Sequence, residues 1–349
     1  MKLLLTLLLT FPIVSQAQID LSWLKPYTGT IGKAKFTMLL HKAGDQYNAA
    51  VYYNSTEQPY FIDGASSTLK VNLTGSAQVY NNNETWTITL SKNGLSGVWK
   101  CNEKTLPINA QLSNPELNVQ YVYTQGNKLL TQGIGVPEAT YYQSGIYYPQ
   151  NAELNKILYP NIANLTAGQY MLQQKNAYFD NYIKINKDVL PTDYKDNIYM
   201  YSHDSKNSTM LTYLSPNIIS YTHTYYEYTG GAHGNGGSVH TVIQKASSSI
   251  LTLADVVVDS SQLTPYLIQY FRKHYGVKAN ETLTDAGLFE NTITANSNFI
   301  LTNKAIIFTY NAYDISPYAM GQINIAIPLS AIKNILTPKI KNILQPQLN

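Results

Sequence analysis

The residues with the clearest chemical potential lie in a glycine-rich loop that carries one histidine. The loop and its flanks include Tyr228, Gly230, Gly231, His233 and Asn235, between two segments typical of β-strands. Glycine adopts positive φ angles at no steric cost, so the backbone here can bend sharply and approach a ligand or a neighbouring segment. The imidazole of His233 could accept a proton, bind a metal or contact a ligand, or it could close the loop on its own backbone. For Asn235 a turn role is favoured over recognition, because Asn tolerates left-handed geometry.

A second candidate group, Tyr313, Asp314 and Tyr318, follows much later in the chain. If this group packs beside the glycine-rich loop, it forms with His233 an aromatic-lined recess suited to a sugar or a protein loop. The alternative is that the tyrosines pack in the core or at a sheet edge, which is favoured for Tyr310 more than for Tyr318. We predict a ligand-binding site that combines this group with the loop residues named above.

Metal binding and covalent catalysis have weaker support. Zinc needs three or four converging ligands, and His203, His223, His233 and His240 lack the spacing of a zinc motif, although His223 and His240 could face each other across a hairpin. The only cysteine, Cys101, is expected to be a buried apolar residue and not a nucleophile. Phosphate-binding and dinucleotide-binding motifs are absent from the sequence. We therefore predict no metal, no catalytic residue and no cofactor.

The amino terminus predicts export. Residues 1–17 carry Lys2, then an apolar stretch, then Ser15-Gln16-Ala17, which fits the cleavage site of a secretory signal peptide. No later segment approaches the ~20 apolar residues that a membrane-spanning helix needs. The mature chain is expected to be periplasmic or secreted, with no integral membrane span after cleavage of the signal.

The composition limits the partners and the forces that hold the fold. Charged residues make up 13% of the chain and the formal net charge is +3. Because the charge is small and unclustered, it excludes a nucleic-acid-binding surface of the usual basic kind. A single cysteine cannot form a bridge within the chain, so hydrophobic cores must hold the fold. The 30 tyrosines supply apolar area with a polar tip, which suits both strands and binding faces.

Two regions with different patterns predict an α+β fold. In residues 18–112 short strand-like runs alternate with turn residues, and apolar residues take every second position of Thr85–Leu90. We predict an antiparallel β-meander or small barrel there. Residues 113–337 are expected to form an α+β module in which one or two helices pack on an antiparallel sheet, and residues 338–349 a weakly docked tail.

Within the second region, the spacing of apolar residues from Leu263 to Phe271 predicts an amphipathic helix. The segments on both sides of the glycine-rich loop predict a long hairpin. We interpret Tyr178 to Asn186 and Ile198 to Ser202 as strands. Pro328 predicts the first residue of a last helix, because proline is favoured at that position.

Short motifs give the second region a resemblance to known domains. They are Tyr228-x-Gly230-Gly231-Ala232-His233, then Leu251-x-Leu253-x-Asp255, then Asn298-Phe299, and finally Tyr310-x-x-Tyr313-x-Ile315-x-x-Tyr318-Ala319-x-Gly321. On these motifs residues 115–336 resemble the paired extracellular domains of unknown function in the anti-sigma factor RsiV and the peptidoglycan deacetylase PdaC. The resemblance implies an α+β module at the cell envelope. It implies neither deacetylation nor sigma-factor binding, since the segments responsible for those activities are not expected in this chain.

The sequence therefore predicts an exported, non-enzymatic binding or sensing module of the cell envelope. Its expected partner is a cell-wall glycan or an extracellular protein. The first alternative is an envelope hydrolase that acts on peptidoglycan or polysaccharide through His233 and Asp314. The second alternative is a structural envelope protein.

Overall fold

The computed structural model of the protein describes residues 22–66, 70–77, 82–113 and 118–344. The predicted signal peptide, residues 1–17, lies outside the described residues. A β-barrel comes first along the described chain and an α+β region follows it, so the predicted fold class is confirmed. The domain boundaries given above stay predictions.

Eight antiparallel strands form the closed barrel. They are β1 (Ser22–Ile31), β2 (Ala34–Ala43), β3 (Gln46–Tyr53), β4 (Tyr60–Ser66), β5 (Lys70–Ala77), β6 (Asn82–Leu90), β7 (Gly94–Cys101) and β8 (Lys104–Leu112). Each strand pairs with the next one, and pairing of β1 with β8, with Tyr27 opposite Leu112, closes the sheet. Asp63-Gly64 is a dipeptide typical of turns, yet both residues lie inside β4 and pair with β5.

Alternate residues of the strands fill the barrel. On β6, Trp86 and Ile88 are buried while their sequence neighbours are exposed, as the alternating pattern predicts. The ring of Trp86 packs edge-on against Phe36 with the centroids 5.4 Å apart. All three tryptophans of the chain, including Trp23 and Trp99, belong to barrel strands. Tryptophan fluorescence therefore reports on this region.

A six-stranded sheet follows the barrel, with its strands in sequence order. They are β9 (Gln120–Leu129), β10 (Glu138–Tyr147), β11 (His203–Leu214), β12 (Ile218–Tyr228), β13 (Asn235–Gln244) and β14 (Ser249–Ile250). β10 and β11 are parallel, and the other neighbours are antiparallel. β12 and β13 form the predicted hairpin around the glycine-rich loop.

The parallel pair needs a crossover, and the crossover contains α1 (Ala152–Leu158), α2 (Ala167–Ile185) and α3 (Pro191–Tyr194). The prediction of a strand at Tyr178 to Asn186 is wrong, because this segment is the second half of α2. Thr166 and Gln169 form a capping box that starts the helix. The segment Ile198–Tyr201 is a short 3-10 helix and not a strand. Within the described ranges, no helix has the length and apolar character that crossing a membrane requires.

A three-stranded antiparallel sheet completes the fold with α4 (Leu253–Val256) and α5 (Thr264–Tyr275). Its strands are β15 (Phe299–Leu301), β16 (Ala305–Tyr310) and β17 (Ile323–Pro328). The predicted amphipathic helix is confirmed as α5, which buries Leu267 and Phe271. The side chain of Asn298 ties this sheet to β13, because it accepts a hydrogen bond from His240 N at 2.9 Å and donates one to Ser238 O at 2.8 Å.

The carboxy-terminal segment corrects two predictions. Pro328 ends β17, where it pairs with Ala305, and does not start a helix. The segment after Pro338 is not weakly docked as far as residue 344, since it forms α6 (Pro338–Leu344). Ile340 of this helix is fully buried, and Lys339 Nζ lies 2.7 Å from Asp255 Oδ1. These partners lie far away in sequence, so local pattern does not reveal them.

The barrel and the six-stranded sheet share one hydrophobic core. Leu39 and Tyr52 of the barrel pack in the same cluster as Leu211 and Tyr213 of β11. The rings of Tyr52 and Tyr213 lie 5.1 Å apart, and the Tyr213 hydroxyl donates a hydrogen bond of 2.6 Å to Glu57 Oε2 in the barrel. The two regions are therefore joined by both apolar and polar contacts.

One buried histidine spans this junction. Leu211 N donates a hydrogen bond to His41 Nε2 at 3.1 Å, and His41 Nδ1 lies 3.3 Å from the Asn48 carbonyl oxygen. A neutral ring with its proton on Nδ1 satisfies both contacts. Burial lowers the pKa of His41 to about 4, so the ring is neutral at physiological pH.

Candidate functional site

The glycine-rich loop turns tightly between β12 and β13. Gly230 and Gly231 have φ angles of 95° and 96°, which side chains disfavour. The Tyr228 hydroxyl donates a hydrogen bond of 3.1 Å to Gly231 O within the loop. A Cβ atom at Gly230 would lie 2.4 Å from Met200 O. The loop therefore depends on glycine both for its bend and for its close approach to the 3-10 helix.

The segment that follows β16 is attached to the same hairpin. Asn311 Oδ1 accepts a hydrogen bond from Ser238 N at 2.8 Å, and Asn311 Nδ2 donates one to Ser238 O at 3.1 Å. A Cβ atom at Gly237 would lie 2.7 Å from Asn311 Cγ, so a glycine is needed at this approach as well. Asp314 Oδ2 in turn accepts a hydrogen bond from Asn311 N at 2.8 Å, which holds the turn.

These attachments bring three aromatic rings together, and we call His233, Tyr313 and Tyr318 the aromatic surface. The rings of His233 and Tyr318 stack at 4.2 Å with an angle of 22°, and the Tyr313 ring lies 5.7 Å from that of Tyr318. Gly234 O accepts hydrogen bonds from the Tyr318 hydroxyl at 3.1 Å and from His233 Nδ1 at 2.9 Å. The second bond places the ring proton on Nδ1 and leaves Nε2 as the acceptor of the neutral ring.

The aromatic surface faces solvent. Tyr313 is 55% exposed and Tyr318 is 37% exposed, and His233 is exposed as well. Tyr313 has a φ angle of 72°, which costs a non-glycine residue about 1 to 2 kcal/mol. The chain therefore holds an exposed tyrosine in a strained conformation. By contrast, Tyr310 is buried and donates a hydrogen bond to Thr294 O at 2.7 Å, in agreement with the core role favoured for it.

The remaining predicted residues lie around this surface in different roles. Asn235 is exposed and begins β13, where it pairs with Glu227. Asp314 is exposed, and its carboxylate is engaged by the Asn311 backbone. Among the contacts of the described residues, none joins His233 to Asp314. Both residues are exposed, and the pair is not linked as an acid and a base.

The other histidines have separate environments. His223 pairs with Val239 and His240 pairs with Thr222, so the two side chains point to opposite faces of the hairpin and the idea that they face each other is wrong. His240 lies between Thr222 Oγ1 at 2.9 Å and Thr309 Oγ1 at 2.8 Å, and burial lowers its pKa to about 3. In the described part of the chain, no three side chains of His, Cys, Asp or Glu are grouped as a metal would require.

Sequence reasoning misses the residues that assemble the surface. Asn311 carries the attachment to β13, yet asparagine is common in this chain and nothing local distinguishes it. The Asn298-Phe299 motif is the one sequence feature that points to contacts of this kind. The Asn298 side chain also forms hydrogen bonds with the backbone of β13, at His240 N and Ser238 O. Both contacts join strands that are far apart in sequence.

Comparison with protein families places the two halves of the site in two matched segments. The profile of a family described as Deacetylase PdaC matches residues 137–236. The profile of a family described as Protein of unknown function (DUF3298) matches residues 254–330. His233 belongs to the first segment, whereas Tyr313 and Tyr318 belong to the second. The stacking contact thus joins one matched segment to the other.

One solved structure shares the fold of the larger part of the chain. A DUF3298 family member from Bacteroides fragilis NCTC 9343 has 23% sequence identity and a TM-score of 0.56, over 66% of this chain and 97% of that one. A DUF3298 family protein from Pseudomonas aeruginosa PAO1 has 18% identity and a TM-score of 0.45, over 65% of this chain and 97% of that one. No match was found among curated proteins.

The two family profiles indicate an envelope-associated domain, and none of the matches names a ligand. The profiles contain the first and the last two of the four motifs, and neither profile extends into the barrel. The predicted resemblance is thereby confirmed: the carboxy-terminal two thirds of this chain resemble PdaC-type and DUF3298 domains, here preceded by an eight-stranded barrel.

Proposed function

We propose that the protein is an exported, non-enzymatic envelope protein that binds a cell-wall glycan at the aromatic surface. The observation that carries this proposal is the exposed stack of His233 and Tyr318, extended by Tyr313. The apolar faces of sugar rings pack against aromatic rings, and nearby polar groups fix their hydroxyls. Asp314 follows Tyr313 and Asn235 follows Gly234 in the chain, and both are exposed and can supply such groups.

Rigidity of the surface supports a binding role. Gly234 O fixes both His233 and Tyr318, and the Asn311 side chain fixes their two segments to each other. A surface that is ordered before binding loses less entropy when the ligand arrives. The strained backbone of Tyr313 fits the same reading, because strain of this kind gathers at functional positions.

The same contacts argue against a pair of His233 and Asp314, on which the hydrolase alternative depends. The Asp314 carboxylate accepts a hydrogen bond from the backbone of its own turn, and among the described contacts none joins it to His233, which is held by Gly234 O. A general acid or base needs a partner or a substrate proton within hydrogen-bond reach. The resemblance to envelope domains and the predicted signal peptide support an extracytoplasmic site of action.

Binding to glycan tests the proposal. Mature protein, residues 18–349, is mixed with insoluble peptidoglycan and with soluble muropeptides, and retention and affinity are measured. Loss of the Tyr318 ring in Tyr318→Ala should weaken binding by about tenfold, since an aromatic contact with its buried area contributes on the order of 1.5 kcal/mol. Tyr199→Ala is the matched control, because Tyr199 is 72% exposed and lies outside the aromatic surface.

The outcomes separate the alternatives. Equal binding by wild type and Tyr318→Ala would overturn the assignment of the aromatic surface. Retention of an envelope protein in place of glycan would make the partner a protein, and retention of nothing would favour the structural alternative. Release of soluble fragments from peptidoglycan that stops in His233→Ala would replace the proposal by the hydrolase.

A further inference from the structure

A cavity of about 400 Å³ lies between the barrel and the three-stranded sheet. Its lining shares no residue with the aromatic surface. Tyr53, Tyr60 and Glu84 line it from the barrel side, and Ile300 and Ile307 line it from the sheet side. Cavities of roughly 300 to 1,000 Å³ hold small molecules, and they are favoured at the junction of two structural units. The cavity therefore has the size and position of a small-molecule site.

Glu84 supplies the carboxylate of this cavity. Trp86 Nε1 and Trp99 Nε1 donate hydrogen bonds to its two oxygens, at 3.3 and 2.7 Å. The residue is only 9% exposed. Among the side chains that the structure describes, no lysine, arginine or histidine forms an ion pair with it. A buried carboxylate is normally matched by a positive charge, so this one leaves a place for a cation.

The other titratable groups of the lining add no positive charge. Burial lowers the pKa of His240 to about 3 and also lowers that of His274, so both rings are neutral at pH 7. Burial, followed by the nearby Glu84 carboxylate, holds the pKa of Tyr60 well above its usual range. Burial likewise raises the pKa of Tyr53. The cavity thus presents a carboxylate among neutral side chains.

Aromatic and apolar side chains surround that carboxylate. The rings of Tyr53 and Tyr60 stack at 6.1 Å with an angle of 21°. The Tyr60 hydroxyl is buried and makes no hydrogen bond of ordinary geometry. Ile300, Ile307 and Ala326 form an apolar wall. Aromatic faces attract organic cations, and an apolar wall accepts a hydrocarbon group.

We propose that the cavity binds a small organic cation, an ammonium group carried on a hydrocarbon chain or ring. The ammonium lies against Glu84, where it donates a charge-assisted hydrogen bond. The hydrocarbon part lies along the wall formed by Ile300 and Ile307. The rings and hydroxyl groups of Tyr53 and Tyr60 contact the cation and enclose it.

Three probes of one size and different charge test this proposal: 2-phenylethylammonium, 2-phenylethanol and phenylacetate. Binding is followed by tryptophan fluorescence, since Trp86 and Trp99 contact Glu84 directly, and by calorimetry. The ammonium probe should bind more tightly than the alcohol by about tenfold or more, because a charge-assisted hydrogen bond contributes about 1.5 to 3 kcal/mol. Phenylacetate should bind most weakly.

Two variants and one control locate the site. Glu84→Gln removes the charge at nearly constant shape and should abolish the preference for the ammonium probe. Ala326→Phe fills the cavity, keeps Glu84 and should weaken the ammonium and alcohol probes alike. Glu103→Gln is the control, because Glu103 is an exposed carboxylate in the turn between β7 and β8. Circular dichroism checks that each variant is folded.

The proposal is overturned if the ammonium and alcohol probes bind equally to the wild type, or if none of the probes binds. It is also overturned if Ala326→Phe, folded, binds the ammonium probe as well as the wild type does. Should Glu84→Gln fail to fold, the comparison between Ala326→Phe and Glu103→Gln still decides whether the probes bind in the cavity. The charge preference is then decided by the three probes on the wild type alone.

Discussion

Replacing His41 by leucine is expected to remove a pH-dependent part of the stability of the barrel. His41 is fully buried at the junction with β11, and its Nε2 accepts the Leu211 N–H at 3.1 Å. In His41→Leu that N–H stays buried and loses its acceptor, which costs about 1 to 3 kcal/mol. At pH 7 the variant should therefore be less stable than the wild type by about 2 kcal/mol.

The difference in stability between the two proteins should shrink in acid and then change sign. The pKa of His41 is about 4 in the folded protein against an ordinary value of 6.5. As the pH falls below 6.5, the unfolded chain takes up a proton that the folded chain accepts only near pH 4. The wild type therefore holds its full stability above pH 6.5 and loses about 3 kcal/mol between pH 6.5 and 4. The leucine variant has no such group at this position, so the two stability curves should cross at pH ~5, and at pH ~4 the variant should be the more stable protein by about 1 kcal/mol.

Urea unfolding across this pH range measures the effect. Tryptophan fluorescence is the readout, because all three tryptophans lie in the barrel. Other buried histidines, His240 among them, also destabilise the protein in acid. The informative quantity is therefore the difference in the free energy of unfolding between His41→Leu and the wild type at each pH. The same series on His233→Leu is the control, since His233 is exposed and lies outside the junction with β11. A constant gap between His41→Leu and the wild type from pH 7 to 4 would refute the reasoning.

Three further predictions concern the loop, the aromatic surface and the last helix. Gly230→Ala should destabilise the protein by at least about 1 kcal/mol more than Gly231→Ala, because both have positive φ but only a Cβ at Gly230 meets Met200 O; equal thermal stabilities would contradict this. Tyr313→Asn should raise the free energy of unfolding by up to about 1 kcal/mol, since Asn tolerates a φ of 72°, and it should weaken glycan retention. A clear loss of stability in this variant would argue against backbone strain at Tyr313. Ile340→Ala should lower the free energy of unfolding by about 3 kcal/mol, because the side chain is fully buried; a change close to zero in chemical unfolding would show that α6 does not hold the core.

The sequence predicts elements whose signal is local. Alternation at Trp86 and Ile88 marks a barrel strand, and helical spacing from Leu263 to Phe271 marks α5. Prediction from the sequence fails where the residues of a segment favour one secondary structure and the residues that flank it favour another. Tyrosines in α2 are typical of strands, but the capping box at Thr166 starts a helix that continues through them. α6 is stabilised by partners such as Asp255, which no local pattern can show.

The residue types of the candidate site are predictable from the sequence, whereas the packing of its two segments could be stated there only as a condition. Glycines and one histidine in a hairpin indicate a bent loop with an exposed ring, and the structure shows such a loop. The proximity of Tyr318 to His233 follows from the attachment of Asn311 to Ser238, a contact between distant strands. The cavity at Glu84 lies beyond sequence reasoning for the same reason, because its two walls come from opposite ends of the chain.

The shared core of the barrel and β11 has a practical consequence for work on fragments. A piece of the chain trimmed to residues 118–344 would strip Leu39 and Tyr52 away from Leu211 and Tyr213. That face would then meet water, and Leu211 N would lose its acceptor on His41. Such a fragment would tend to aggregate, and it would also lack Glu84 and the whole barrel side of the cavity. Dissection of the domain that resembles other proteins is therefore best done by point substitution, with the leading barrel kept in place.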